Sequence, residues 1–168
     1  MSRLKKSTAL ISMNFSGNDL GEPTERFINL EKFLSRNESC KNLILNDCQI
    51  STVALTQISL GLSKNTKLKR LVLQGNDIAE RDSVQRLVRG LLDNTEGSQL
   101  TELDLAKNRI TSDAIEPFVN LFEQNYKIRT LNLRNNVITD EGAKQLVLAL
   151  VNNSYIIKLQ LEMNPFKH

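Results

Sequence analysis

Tryptophan is absent from this chain, and histidine occurs once, as the terminal residue His168. Cysteine occurs twice, at Cys40 and Cys48, and proline only three times. Each scarcity removes a class of protein. One histidine at the end of the chain cannot reliably anchor a Ser-His-Asp or Cys-His catalytic arrangement. Two cysteines make no disulfide framework, and with one histidine they fall short of a zinc site. Six Phe and two Tyr give no array on which bases could stack, and a net charge of +3 is too mild to argue for nucleic acid. No apolar run approaches the roughly 20 residues of a membrane span. Met1 to Thr8 carries positive charge but no apolar stretch, so it does not read as a secretory signal. Dinucleotide-binding glycine motifs, phosphate-binding loops and nucleophile elbows are missing too.

What the 168 residues do contain is 27 leucines and 18 asparagines, and they are periodic. The pattern L-x-x-L-x-L-x-x-N/C-x-L recurs with conservative replacements. It runs through Leu10, Met13, Phe15, Asn18, Leu20, and then Cys40, Leu43, Leu45, Cys48, Ile50. Further copies are Leu68, Leu71, Leu73, Asn76, Ile78 and Leu100, Leu103, Leu105, Asn108, Ile110. The last two are Ile128, Leu131, Leu133, Asn136, Ile138 and Ile156, Leu159, Leu161, Asn164, Phe166. Repeat starts at 10, 40, 68, 100, 128 and 156 are separated by 30, 28, 32, 28 and 28 residues.

The L-x-L portion has the period of a strand, with both leucines on one face. The Asn or Cys after it stands where the chain leaves the strand, and a buried amide there can bond backbone groups of a neighbouring coil. Stacked coils would make a ladder from Asn18 to Asn164, weakened at Cys48. The rest of each unit has helical spacing: Phe27, Leu30, Leu34; Leu55, Ile58, Leu62; Leu87, Val88, Leu91; Phe118, Phe122; Ala143, Leu146, Leu150. Ser51, Thr111 and Thr139 are expected N-caps, and Pro23 suits a first helical turn. Pro117 predicts a late start or a kink in the fourth helix. The long step is expected to place its excess, residues 94–99, in a rim loop.

Strand–turn–helix units of about 28 residues resemble the ribonuclease-inhibitor-like class of leucine-rich repeats. The segment Asn136-Val137-Ile138-Thr139-Asp140-Glu141-Gly142-Ala143 is most similar to the family pattern. The class includes ribonuclease inhibitor, the GTPase-activating protein of Ran, tropomodulin and leiomodin, and NOD-like receptors. The resemblance implies an α/β solenoid spanning residues 1–168 as one domain. A parallel sheet of six strands would line the concave side, with five helices on the convex side. It also implies work by binding other proteins, through the concave sheet or its rim.

Alternation predicts three outward columns on that sheet. The middle column is Asn14, Ile44, Val72, Asp104, Asn132, Gln160. Ser12, Asn42, Arg70, Glu102, Thr130 and Lys158 precede it, and Ser16, Asn46, Gln74, Ala106, Arg134 and Glu162 follow. Ile44 and Val72, ringed by Asn42, Asn46, Arg70 and Gln74, form an apolar pair with a polar rim, as protein interfaces do. Arg134 beside Asn132 is a second anchor. The expected partner-binding set is therefore Asn42, Ile44, Arg70, Val72, Gln74, Asp104, Asn132 and Arg134. Glu102 and Asp104 share a side but lack an apolar pocket, so they are expected to be solvated rather than catalytic. Residues 64–89 carry seven Lys and Arg against three carboxylates, an excess that reads as a solvated face or as steering for an acidic partner.

These readings predict a cytoplasmic protein-binding scaffold or adaptor, without enzymatic activity, cofactor, bound metal, nucleic acid or membrane partner. Two alternatives stand beside it: a regulator of a small GTPase, and a structural segment that associates with itself. The second follows from the ends. No polar cap is evident around residues 156–168, and an uncapped parallel edge is a pairing surface. The chain is accordingly expected to be a piece of a longer protein, or to have its ends covered by partners, by copies of itself, or by its own terminal segments.

Overall fold

The computed structural model describes residues 9–20, 25–125 and 127–167. Pro23 and His168 lie outside these residues, as does the side chain of Phe27. Six three-residue strands, β1 (Ser12–Asn14), β2 (Asn42–Ile44), β3 (Arg70–Val72), β4 (Glu102–Asp104), β5 (Thr130–Asn132) and β6 (Lys158–Gln160), pair in chain order. Every pairing is parallel and in register with the repeat, so Leu43, Leu71, Leu103 and Leu131 are direct neighbours. Between them run α1 (Glu25–Arg36), α2 (Thr52–Leu62), α3 (Arg81–Leu92), α4 (Glu116–Gln124) and α5 (Asp140–Leu150). This is the α/β solenoid expected. Strands stack about 4.8 Å apart while packed helices need about 8–10 Å, so the sheet takes the inside of the arc.

The two leucines of each L-x-L face the helices. In β2 to β5 the pairs Leu43/Leu45, Leu71/Leu73, Leu103/Leu105 and Leu131/Leu133 are wholly buried, against Leu55, Ile58, Leu87 and Phe118. The end coils are less covered: Met13, Phe15, Leu159 and Leu161 are half-buried. Small residues set how closely the helices approach. A Cβ on Gly90 of α3 would lie 2.5 Å from the Ser59 carbonyl oxygen of α2. That spacing leaves room for hydrogen alone.

Helix starts follow the sequence in part. The Ser51 hydroxyl accepts the Ala54 N–H at 3.3 Å, capping α2. Thr111 and Thr139 occupy N-cap positions, but their side chains make no capping bond. Thr139 is instead tied to the preceding coil: its hydroxyl lies 2.8 Å from that of Ser112, which also accepts the Thr139 N–H. Pro117 delays its helix, as expected. A 3-10 turn, Ser112–Ala114, comes first, and Pro117 sits in the first turn of a nine-residue α4, where a missing N–H costs nothing.

The asparagine ladder is present. Asn108, 6% exposed, accepts the N–H groups of Asn76 and Ile78 and donates to the carbonyls of Leu73, Leu105 and Ala106. Asn76, one coil before, likewise accepts two N–H groups, of Cys48 and Ile50, and donates to Leu45 O; Asn136, one coil after, accepts the Ile110 N–H and donates to Leu105 O. At Cys48 the ladder changes chemistry. The thiol donates to the Phe15 carbonyl at 3.2 Å, replacing the amide's donor. It cannot replace the strong acceptor, and the Leu20 N–H binds the Cys48 backbone carbonyl instead, at 3.1 Å.

Candidate functional site

The outward residues of β1 to β6 and of the positions two beyond the middle column form the face on which a partner could land. Backbone hydrogen bonds bring them together: Phe15 N–H to Ile44 O, Leu45 to Val72, Leu73 to Asp104, Leu105 to Asn132 and Leu133 to Gln160. Their side chains are far from independent. Asn14, Asp104 and Asn132 each turn back to accept the N–H two residues on, at 2.9 to 3.0 Å. Ile44 and Val72 have no acceptor to offer. In those coils the N–H groups of Asn46 and Gln74 bond the previous coil, to Ser16 Oγ and Asn46 Oδ1 at 3.2 Å. The apolar pair is thus accommodated by a change in who satisfies the backbone.

Two of the expected anchors are corrected. Val72 is 2% exposed and Asp104 5%. Alternation assigns a residue to a face, but on the concave side neighbouring side chains lean over the floor, and at the centre of the sheet they close it. A residue already out of water gains nothing further from a partner's cover. Asp104 is therefore not solvated: Oδ2 accepts the Gln74 amide at 2.9 Å, and Oδ1 accepts the Ala106 N–H at 3.0 Å. Glu102 binds Arg70 Nε at 2.7 Å, so the two carboxylates of β4 form no acidic pair.

The other expected residues remain reachable. Asn42, Ile44, Gln74 and Asn132 are half-buried, and the Arg70 side chain is 41% exposed despite its ion pair. Arg134 is exposed, its guanidinium 3.2 Å from Met163 Sδ. The charged Arg70, Glu102 and Arg134 thus stand along a sheet whose floor, Val72 and Ala106, is closed and whose Ile44 remains reachable.

Cys40 and Cys48 point inward, both buried, with hydrogen bonds to backbone carbonyls of Asn42, Phe15 and Asn46. Burial raises both thiol pKa values, outweighing those bonds, and leaves little thiolate for chemistry. Among the described residues no cluster of His, Cys, Asp and Glu could hold a metal, and no helix is long and apolar enough to cross a membrane. An open cleft of about 420 Å³ lies between the turns entering α2 and α3, lined by Gln49, Thr52, Asp77, Glu80 and Arg109.

A leucine-rich-repeat family model matches residues 64–80, 99–119 and 124–147. Pig ribonuclease inhibitor is 26% identical over 147 residues, 88% of this chain. The mouse NACHT, LRR and PYD domains-containing protein 5 is 31% identical over 156 residues, 92% of it. Among solved structures, the Caenorhabditis elegans tropomodulin C-terminal domain superposes with a TM-score of 0.70 at 17% identity, covering 90% of this chain and 89% of that one.

The chain is a ribonuclease-inhibitor-like leucine-rich-repeat domain.

It spans 31% of the pig inhibitor's length and 13% of the mouse protein's. Within this domain a second set of asparagines does work that the repeat template overlooks. Asn37, Asn65, Asn125 and Asn153 follow the helices, and each accepts two backbone N–H groups of the turn into the next strand. Asn65 and Asn153 also donate to the preceding helix ends, at Leu34 O and Phe122 O, both at 2.6 Å. The signal was in plain sight as Asn three residues before the repeat starts at 40, 68, 128 and 156. Before the start at 100 that position is Gly97, and there the insertion divides the task. Asn94 reaches Leu62 O and Asn65 O, and Ser98 Oγ accepts the Leu100 N–H.

Proposed function

We propose that residues 1–168 act as one protein-binding scaffold or adaptor domain, taking a protein partner on the concave sheet. The observation that carries this reading is the face itself. Side chains of six adjacent strands are displayed in three columns, and most of their internal hydrogen bonds are already made. Such a surface is pre-organised, so little side-chain freedom is lost on association. Asn42, Ile44, Arg70, Gln74, Asn132 and Arg134 are the contacts, with Val72 and Asp104 as the floor that holds them. A protein partner fits the mixture of apolar floor and charged rim better than a small ligand does. The pig relative is named as an inhibitor of ribonuclease, which is work done by binding a protein. Two unpaired, buried thiols favour a reducing compartment, and the cytoplasm is the proposed location.

The test is affinity capture with the wild-type domain beside an Ile44→Asn/Arg134→Glu variant. Asparagine at 44 matches Asn14 and Asn132 of other coils and supplies the acceptor that Asn46 N–H lacks locally, so the fold is preserved while the apolar knob is removed. A partner retained by wild type and lost by this variant supports the reading. Equal retention by both would remove the concave face from it.

A further inference from the structure

The run of positive charge between residues 64 and 89 does not survive folding as one patch. Arg81 pairs with Glu116, Arg70 with Glu102, and Arg89 lies 3.9 Å from Asp93. Arg81 also stands at the start of α3, on the rim that carries Asp77, Glu80 and Asp82. Lys64, Lys67 and Lys69 go to the opposite rim, where helices end and strands begin. There they meet a residue from the coil before. The Lys69 N–H bonds the Lys41 carbonyl at 2.7 Å, placing the two lysines side by side at the mouths of β2 and β3. Arg36, in the last turn of α1, ends on the same rim, because Asn65 ties that helix end to the turn carrying Lys67.

Arg36 and Lys64 at helix C-termini complement the carbonyl ends there and need no other explanation. Lys41 and Lys69 have no such reason. They enter adjacent strands in register, where like charges repel. Both are exposed, and Lys41, Lys64, Lys67 and Lys69 form no ion pair with another described residue. Glu38, in the turn before Lys41, and Asp93 and Glu96, in the loop whose Asn94 donates to Asn65 O at 2.7 Å, are the acidic residues on this rim, and Asp93 lies beside Arg89. Farther along the rim the column continues through Thr101 to Arg129, which stacks on Tyr155 at 5.4 Å. The positive field therefore concentrates on the second and third coils, at a corner distinct from the concave floor.

We propose that this corner, Lys41, Lys64, Lys67 and Lys69, is a docking site for an acidic segment of a protein partner. Carboxylates placed there would relieve the repulsion between Lys41 and Lys69, and the long-range field would speed encounter. The site stands apart from the concave reading and can fail without it. A labelled oligoglutamate peptide, titrated with the full chain at low ionic strength and followed by fluorescence anisotropy, tests it. Saturable binding is expected, weakened about tenfold by Lys41→Gln/Lys67→Gln/Lys69→Gln and to a lesser degree by Lys69→Gln alone. The control Lys107→Gln/Arg109→Gln/Lys144→Gln removes the same charge from exposed positions elsewhere and should change affinity by less than about twofold. Absence of binding, or equal loss in the two triple variants, would overturn the proposal. So would tighter binding of a DNA duplex or of phosphatidylserine vesicles through the same lysines.

Discussion

Replacing Asn108 with alanine probes the ladder where its bonds are most numerous. The side chain makes five hydrogen bonds, and their loss is not uniform. The Leu105 carbonyl keeps the Asn136 amide, and the Ala106 carbonyl keeps the Gly75 N–H. The N–H groups of Asn76 and Ile78 and the carbonyl of Leu73 lose their partner at a position 6% exposed. Each buried orphan costs about 1–3 kcal/mol, so Asn108→Ala should destabilise by about 3–5 kcal/mol after some relaxation. Asn18 provides the comparison. It is exposed, and its amide donates within its own coil, to Phe15 O and Ser16 O. Asn18→Ala should cost about 1 kcal/mol or less. Urea unfolding followed by circular dichroism gives both values, with unchanged slopes as the check on cooperativity. Similar losses at the two positions, or a loss below about 1 kcal/mol at Asn108, would refute the ladder as a source of stability.

Gly90→Ala should destabilise although alanine favours a helix by about 1 kcal/mol, because the added carbon meets the Ser59 carbonyl oxygen at 2.5 Å; a rise in melting temperature would contradict the packing argument. Lys107 holds a φ of 55° at the position where Gly75 stands one coil earlier, so Lys107→Gly should raise stability by up to about 1 kcal/mol, read from the urea midpoint. The buried thiols predict a pH effect. Both folded pKa values lie above the ordinary 9.0, so the folded state keeps its protons longer than the unfolded chain. Stability is unaffected at neutral pH and falls as pH rises through 9.0. Cys40→Ala/Cys48→Ala should flatten that decline in an alkaline unfolding series, and an unchanged slope would show that other groups cause it.

The fold was legible because repetition carries it. Leu43, Leu71 and Leu103 announce strands by period, and Asn76, Asn108 and Asn136 announce the turn, so six coils align on residue type alone. Pro117 correctly indicated a late helix start. The candidate face was legible as columns but not as exposures. Period-2 alternation is a property of one strand, whereas the burial of Val72 and Asp104 depends on side chains from the strands beside them. The Arg70–Glu102 pair was within reach, since the two residues are adjacent in one column. Thr111 and Thr139 mislead because the right residue at an N-cap position had a better partner or none. The basic corner was within reach in the same way, since Lys41 and Lys69 each follow the first residue of their repeats and stacking makes them neighbours.

If the concave sheet is the binding face, site-specific photocrosslinking will show it. A photoreactive residue is placed at Ile44 or Arg134 on the sheet, and separately at Leu60 or Gln85 on the exposed side of α2 and α3. One protein species joined from both sheet positions and absent from both helix positions is expected. The same species joined from Leu60 and Gln85, and from neither sheet position, would contradict it.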